Sequence, residues 1–224
     1  TKQIEATTGW DDHNPQPPDL NTGIWQDVYV TATGPVALRD PCAASKLEVP
    51  SLAKADLTLS VRAANLSNAP ATAVVRASVE SIVLEQTVEL AAGESREVVF
   101  EPERFAALHI EKPRVWWPND LGSQELYTAR WSVSVGSQES DAVETRFGIR
   151  EATTYINEEG WRGYRVNGRN VLIRGGAWMT ADMLLRLSRG RYDALVRYAR
   201  EGHLNMLRSE GFSIRETKDF YDLC

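Results

Sequence analysis

The chain of 224 residues is poor in cysteine and histidine, with two and three respectively. Cys42 and Cys224 lie far apart, and neither stands in the CxxC or Cys/His spacing of a zinc site or dithiol redox motif. They read as two buried free thiols, and no metal site is expected. The sequence also lacks basic excess: 25 Lys and Arg face 31 Asp and Glu, a net charge of −6. That balance argues against nucleic acid or an anionic membrane as main partner, since both require a basic face. No run approaches the roughly 18 apolar residues that a membrane-spanning helix needs. No signal peptide is visible either. Thr1 is not a natural start, so an upstream targeting segment is expected to be missing. What remains is a chain that is 42% hydrophobic, enough to bury a core and outside the range of disordered sequences.

Tryptophan is plentiful, with seven residues bunched as Trp10, Trp25, Trp116, Trp117, Trp131, Trp161 and Trp178. Indole faces stack on the C–H faces of sugar rings, but each is equally a bulky core residue. His13 reads as a loop polar group and His203 as a helix-end residue, both structural.

The character of the sequence changes twice. Residues 1–40 are rich in turn formers, and the run from Gly9 to Pro18 holds three prolines that exclude a helix. Residues 23–30 then alternate as a strand with Ile24, Gln26, Val28 and Val30 on one face. Residues 41–150 are all-β by pattern. Leu57, Leu59, Val61 and Ala63 alternate with polar neighbours, as do Ala73, Val75, Ala77 and Val79, and Trp131, Val133 and Val135. Turn signals at 65–70, 91–94 and 135–137 separate them. Short strands at this spacing suggest an immunoglobulin-like β-sandwich without the disulfide of antibody domains.

From about residue 151 the pattern shifts again. Asn167-Gly168 marks a hairpin, and Val171-Leu172-Ile173 reads as a buried parallel strand. Ser188 caps a helix carrying Tyr192, Leu195, Val196 and Ala199 on one face, which Gly202 ends. Residues 204–208 form the next strand, and 216–223 the next helix. This β-α-β-α order is the start of a parallel α/β fold. Two such units cannot close a sheet or barrel, so the sequence reads as an internal piece.

Four stretches carry a family resemblance. They are Gly9-Trp10-Asp11 with Gly23-Ile24-Trp25-Gln26-Asp27-Val28; Trp116-Trp117-Pro118 followed by Gly122, Gln124, Leu126 and Tyr127; Phe147-Gly148-Ile149-Arg150; and Val166-Asn167-Gly168 with Ile173-Arg174-Gly175-Gly176-Ala177-Trp178 and Asn205-Met206-Leu207-Arg208. In this order they resemble glycoside hydrolase family 2. The resemblance implies a mainly β chain in three parts. Residues 1–40 would end a jelly-roll sugar-binding domain, 41–150 would form the sandwich, and 151–224 would begin a (β/α)8 catalytic barrel. Within the family, Trp178, Asp182 and the absence of a His-rich stretch resemble the exo-β-glucosaminidase and β-mannosidase branch. Arg208-Ser209-Glu210-Gly211 is closer to the glucosaminidases, where an anionic Glu210 would hold the ammonium of glucosamine.

Retaining hydrolysis needs two carboxyl groups roughly 5–5.5 Å apart. The family places both glutamates on later barrel strands, so neither catalytic residue is expected in this chain, and the piece alone is expected to be inactive. Asn157-Glu158-Glu159 precedes the first barrel strand and reads as a solvated turn. The supporting or substrate-binding residues implied by the resemblance are Asp11, Trp178, Asp182, Arg208 and Glu210. Arg208 would keep the nucleophilic carboxylate ionised, although pairing with Glu210 is an alternative. Asp11 would reach sugar hydroxyls; Trp178 and Asp182 would line the sugar subsite or simply pack the loop. No cofactor is implied. The expected partners are a carbohydrate and the remainder of the barrel, and a secreted or periplasmic location is favoured over the cytoplasm. A free-standing carbohydrate-binding sandwich module is the alternative from another class.

Overall fold

The computed structural model describes residues 24, 26–179, 181–182, 185–209 and 215–224. Contacts divide the chain into two units. One comprises Thr31–Trp117 and Leu121–Leu172; the other contains Ile173–Cys224 together with Pro118–Asp120.

The larger unit is a sandwich of two antiparallel sheets. The first sheet is built from β1 (Val36–Leu47), β2 (Lys54–Asn65) and β5 (Ser95–Phe100), with β6 (His109–Glu111) pairing the start of β2. The second runs in the order β4 (Ile82–Leu90), β3 (Ala71–Val79), β7 (Tyr127–Val135) and β8 (Gln138–Phe147). Alternation decides which side chains meet between the sheets. Leu57, Leu59, Val61 and Ala63 of β2 are buried, as are Ala73, Val75, Ala77 and Val79 of β3 and Trp131 and Val133 of β7. These are the alternating sets that the sequence presents.

β1 starts at Val36 and crosses the expected boundary at residues 40–41. Its pairing with β2 shifts register between Arg39 and Cys42, where Asp40 adopts φ of 51°. The bulge reverses which side chains face inward. Leu38 before it and Leu47 after it are both buried, although their positions differ by an odd step of nine. Cys42 is thereby turned out, and both cysteines are exposed rather than buried. The start of β1 is anchored by side chains of β8: Ser140 Oγ accepts from Val36 N–H at 2.9 Å and donates to Val36 O at 2.7 Å. Asp141 accepts from Leu38 N–H at 2.7 Å.

A three-stranded antiparallel sheet completes this unit: β9 (Ala152–Ile156), β10 (Arg162–Val166) and β11 (Arg169–Val171). Asn167 and Gly168 both have positive φ, 52° and 75°, as a two-residue type I′ turn requires.

The smaller unit holds a parallel pair, β12 (Gly175–Trp178) and β13 (Met206–Ser209), connected through α1 (Arg189–Glu201) and followed by α2 (Lys218–Leu223). The parallel strand therefore begins four residues after Val171. Val171 ends antiparallel β11, and Leu172 is 81% exposed rather than part of a buried strand. Ser188 caps α1 by accepting from Arg191 N–H at 3.3 Å. Gly202 occupies the C-cap with negative φ, and His203 takes the left-handed position beyond it at φ 60°. Asn119 donates to the Arg200 and Leu204 carbonyls at 2.9 and 3.1 Å, bracketing the turn that ends the helix.

The expected strand over residues 23–30 falls partly outside the described residues. Residues 24 and 26–30 have no strand pairing, and Ile24, Val28 and Val30 are exposed.

Candidate functional site

β12 and β13 end side by side, with Ala177 opposite Arg208 and Trp178 opposite Ser209. In a parallel pair, opposite residues share a face and successive residues alternate. Trp178 and Leu207 pack with Tyr192 of α1 and Phe220 of α2. Arg208, one residue beyond Leu207, accordingly lies on the face turned away from that helix layer, and it is exposed. The strand ends thus separate an apolar back from a front that carries a guanidinium.

The back is built around Trp178, which is 8% exposed. Its ring lies 4.6 Å from that of Phe220 and 6.5 Å from that of Tyr192. On the helix side the indole is enclosed by these two rings. The indole N–H donates to Glu216 Oε1 at 2.8 Å, and the Tyr192 hydroxyl donates to Glu216 Oε2. Glu216 is 5% exposed, so its charge is carried by these two donors. Burial, and next the hydrogen bond to the Glu216 carboxylate, push the Tyr192 phenol up to about 12. The phenol therefore stays protonated and remains a donor throughout the physiological range. Sequence reasoning missed Glu216. Its partners lie 38 and 24 positions upstream, and its local signal is only that of an acid before a helix start.

Asp182 is also buried at 8% exposure. Its Oδ2 receives Arg186 Nε at 3.0 Å and Arg191 Nη1 at 3.1 Å, and Arg191 also donates to Ala181 O at 3.0 Å. Two cations on one buried carboxylate hold the segment after β12 against the first turn of α1. Asp11 and Glu210 lie outside the described residues. His203 is placed structurally, with Nδ1 3.0 Å from Asp120 Oδ2, which also pairs with Arg174 at 2.7 Å. Among the described residues no group of three or more His, Cys, Asp or Glu side chains is placed to hold a metal ion.

The motif residues of the larger unit are structural. The Trp117 ring lies so close to Gly122 that a Cβ there would come within 2.7 Å of it, and Trp116 stands equally close to Gly148. Gln124 donates to the carbonyls of Trp117 and Gly122 at 3.0 and 3.1 Å. The Tyr127 hydroxyl accepts from Arg114 N–H at 2.7 Å, and its ring stacks on Phe147 at 5.6 Å. Trp116 N–H donates to the carbonyl of fully buried Ile149, and Arg150 stacks on the Trp116 ring at 4.5 Å.

Residues 37–150, which contain this motif network, match the family model described as glycosyl hydrolases family 2. The chain belongs to that family. It is 45% identical over 97% of its length to an exo-β-D-glucosaminidase of Streptomyces avermitilis, covering 24% of that protein. It is 34% identical over 96% of its length to a mannosylglycoprotein endo-β-mannosidase of Lilium longiflorum, covering 23% of it. Among solved structures, an exo-chitosanase of Amycolatopsis orientalis in complex with PNP-β-D-glucosamine superposes with a TM-score of 0.83 at 36% identity, over 92% of this chain and 23% of that one. A β-D-mannosidase from Dictyoglomus thermophilum gives 0.78 at 27% identity, over 99% of this chain and 26% of that one. The family 2 segment thus spans about a quarter of the length of these relatives.

Proposed function

We propose that this segment is the middle of a retaining β-glycosidase that removes terminal β-linked glucosamine from chitosan-type oligosaccharides. In this reading the residues before β1 end a jelly-roll sugar-binding domain, the sandwich runs from β1 at Val36 to about residue 150, and 151–224 open the catalytic barrel. The observation that carries it is the front face of the parallel pair, where Arg208 stands at the C-terminal end of β13, away from the helices. Barrel enzymes collect their working groups at that end of their strands. Arg208 would sit beside the nucleophilic carboxylate and keep it ionised. The carboxyl pair itself would come from later strands beyond this segment. Asp11 and Glu210 would contact the sugar, Glu210 through the C2 ammonium, and Asp182 would hold the loop after β12. Trp178 supports the site from behind.

The choice of glucosamine rests on the names of the Streptomyces and Amycolatopsis relatives and on Glu210 following Arg208-Ser209. A β-mannosidase is the second reading, favoured by the Dictyoglomus structure, which covers 99% of this chain. A secreted or periplasmic location suits a polymer substrate; no described helix is long and apolar enough to cross a membrane. The test uses the full-length protein and the 224-residue segment, each assayed on aryl β-glucosaminide and aryl β-mannoside. Full-length turnover that favours the glucosaminide, with none from the segment, is the expected result. A preference for the mannoside selects the second reading. Binding without turnover by the full-length protein points to a carbohydrate-binding module and refutes the enzyme assignment.

A further inference from the structure

The segments that enter β12 and β13 are tied together by two residues from far upstream. Asn119 and Asp120 belong to the smaller unit, although Asp120 stands 54 positions before Arg174 and 83 before His203. Asp120 Oδ2 accepts from Arg174 Nη2 at 2.7 Å and lies 3.0 Å from His203 Nδ1. Arg174 leads into β12 and His203 towards β13, so one carboxylate oxygen holds both lead-in segments. Asn119 Nδ2 donates to the carbonyls of Arg200 and Leu204, on either side of His203. Arg174 and Asn205 are also joined in both directions: Asn205 N–H donates to Arg174 O at 2.8 Å, and Asn205 Oδ1 accepts from Arg174 N–H at 2.9 Å. The first rung beyond them is tight, since a Cβ on Gly175 would stand 2.3 Å from Met206 O.

We infer that Asn119 and Asp120 lock the register of the β12–β13 pair and are thereby positioning residues for Arg208. The inference rests on the reading above in one respect, that Arg208 keeps the nucleophilic carboxylate ionised. Four paired residues are a short ladder, and parallel backbone bonds are evenly spaced, so they do little to choose one stagger over the next. A one-residue slip moves a strand by about 3.3 Å. That step is longer than either Asp120 contact, so it draws Arg174 and His203 apart along the strands and leaves the carboxylate with one of them. The same slip exchanges the faces of neighbouring side chains. It would turn the Arg208 guanidinium towards the helices and Leu207 to the front. Asp120 is 31% exposed, so each bond is modest and the lock lies in the set.

The experiment uses the full-length protein with Asp120→Ala and with the double variant Asn119→Ala/Asp120→Ala. It reads hydrogen exchange of the peptides spanning 174–178 and 204–209, with 55–65 of β2 as control, and the pH dependence of kcat/KM on aryl β-glucosaminide. Exchange in both strand peptides is expected to speed up about fivefold for the single variant and about twentyfold for the double, with 55–65 unchanged. A displaced Arg208 lets the pKa of the nucleophile rise. The acidic limb of the kcat/KM profile should therefore move up by about 0.5–1 pH unit in the double variant. Unchanged exchange in the strand peptides, or equal acceleration of 55–65, overturns the lock. Faster exchange with an unmoved acidic limb overturns the positioning role. If the double variant does not fold, Asp120→Asn, which keeps an acceptor oxygen without the charge, is read in the same way at about threefold. If the wild type turns over no glucosaminide, the functional reading fails by itself, and the exchange arm still decides the lock.

Discussion

Asn167 offers the sharpest test of how the larger unit is held together. It is 2% exposed and sits in the left-handed region at φ 52°. Its Nδ2 donates to Trp116 O at 2.9 Å, and its Oδ1 accepts from Glu151 N–H at 2.9 Å. Its own N–H donates to Glu151 O at 2.8 Å. Asn167→Ala removes both side-chain bonds and leaves a carbonyl and an N–H without partners, at about 1–1.5 kcal/mol each. Placing alanine in a left-handed conformation adds about 1 kcal/mol. The expected loss is therefore about 3–4 kcal/mol. Asn167→Gly forfeits the same two bonds but relieves the backbone, so it should recover about 1 kcal/mol of that loss. Asn167→Asp keeps the acceptor for Glu151 and turns a carboxylate oxygen towards the Trp116 carbonyl, and should fall near the glycine variant. The assay is urea unfolding of the 224-residue chain followed by tryptophan fluorescence, with the slope checked for constancy so that midpoint shifts report stability. A loss below about 1 kcal/mol for Asn167→Ala would show that the turn is held by its backbone alone, and a glycine variant no better than alanine would refute the strain argument.

Three further outcomes follow from the same geometry. The Tyr192 phenol, raised to about 12 from its ordinary 10.0, contributes stability that is complete below about pH 10 and is lost as pH rises through about 12; alkaline urea titrations of wild type and Tyr192→Phe should diverge below that window and converge above it, and parallel curves would refute the assignment. Gly163→Ala would place a Cβ 2.3 Å from Tyr155 Cζ, while Arg165 already stacks on that ring at 4.3 Å; the expected cost is about 1–3 kcal/mol, measured by thermal unfolding, and Tyr155→Ala in the same chain should relieve it. Leu59→Ala in the fully buried core should cost about 2–5 kcal/mol, whereas Val83→Ala at an exposed position of β4 should cost well under about 1 kcal/mol.

Much of the larger unit was legible because it depends on neighbours in sequence. The two-residue period of β2, β3 and β7 is a local property, and the Asn167-Gly168 turn and the Ser188 cap are local chemistry. The readings that failed depended on events elsewhere. Cys42 is exposed because of a bulge two residues earlier, which no hydrophobic pattern announces. Leu172 has the apolar flanks of a buried strand, yet β11 ends at Val171 and β12 begins only at Gly175. Gly202 carries the residue type of a left-handed helix end, but His203 occupies that conformation, its ring held by Asp120 from 83 positions away. Glu216 escaped notice for the same reason, since a carboxylate's meaning lies in its donors and both come from other elements.

The distribution of the family motif between the two units bears on where specificity resides. Trp116, Trp117, Gly122, Gln124, Tyr127, Gly148 and Ile149 satisfy one another through ring-on-glycine contacts and backbone hydrogen bonds. Residues so occupied answer to the requirements of packing, which are the same whatever sugar is cleaved. A shared motif of this kind therefore identifies the fold and says little about the substrate, consistent with relatives named for glucosamine and for mannose both matching across more than nine-tenths of the chain. Selectivity between those sugars has to arise where the packing constraint ends. On the reading proposed above that is the front of the β12–β13 pair, where Arg208 is exposed while Leu207 and Trp178 on the back pack with the helices. A buried back, tied by Trp178 and Tyr192 to Glu216, and an exposed, charged front on the same two strands give the arrangement its logic: the helix side holds the strand ends, and on the proposed reading the opposite side meets the sugar.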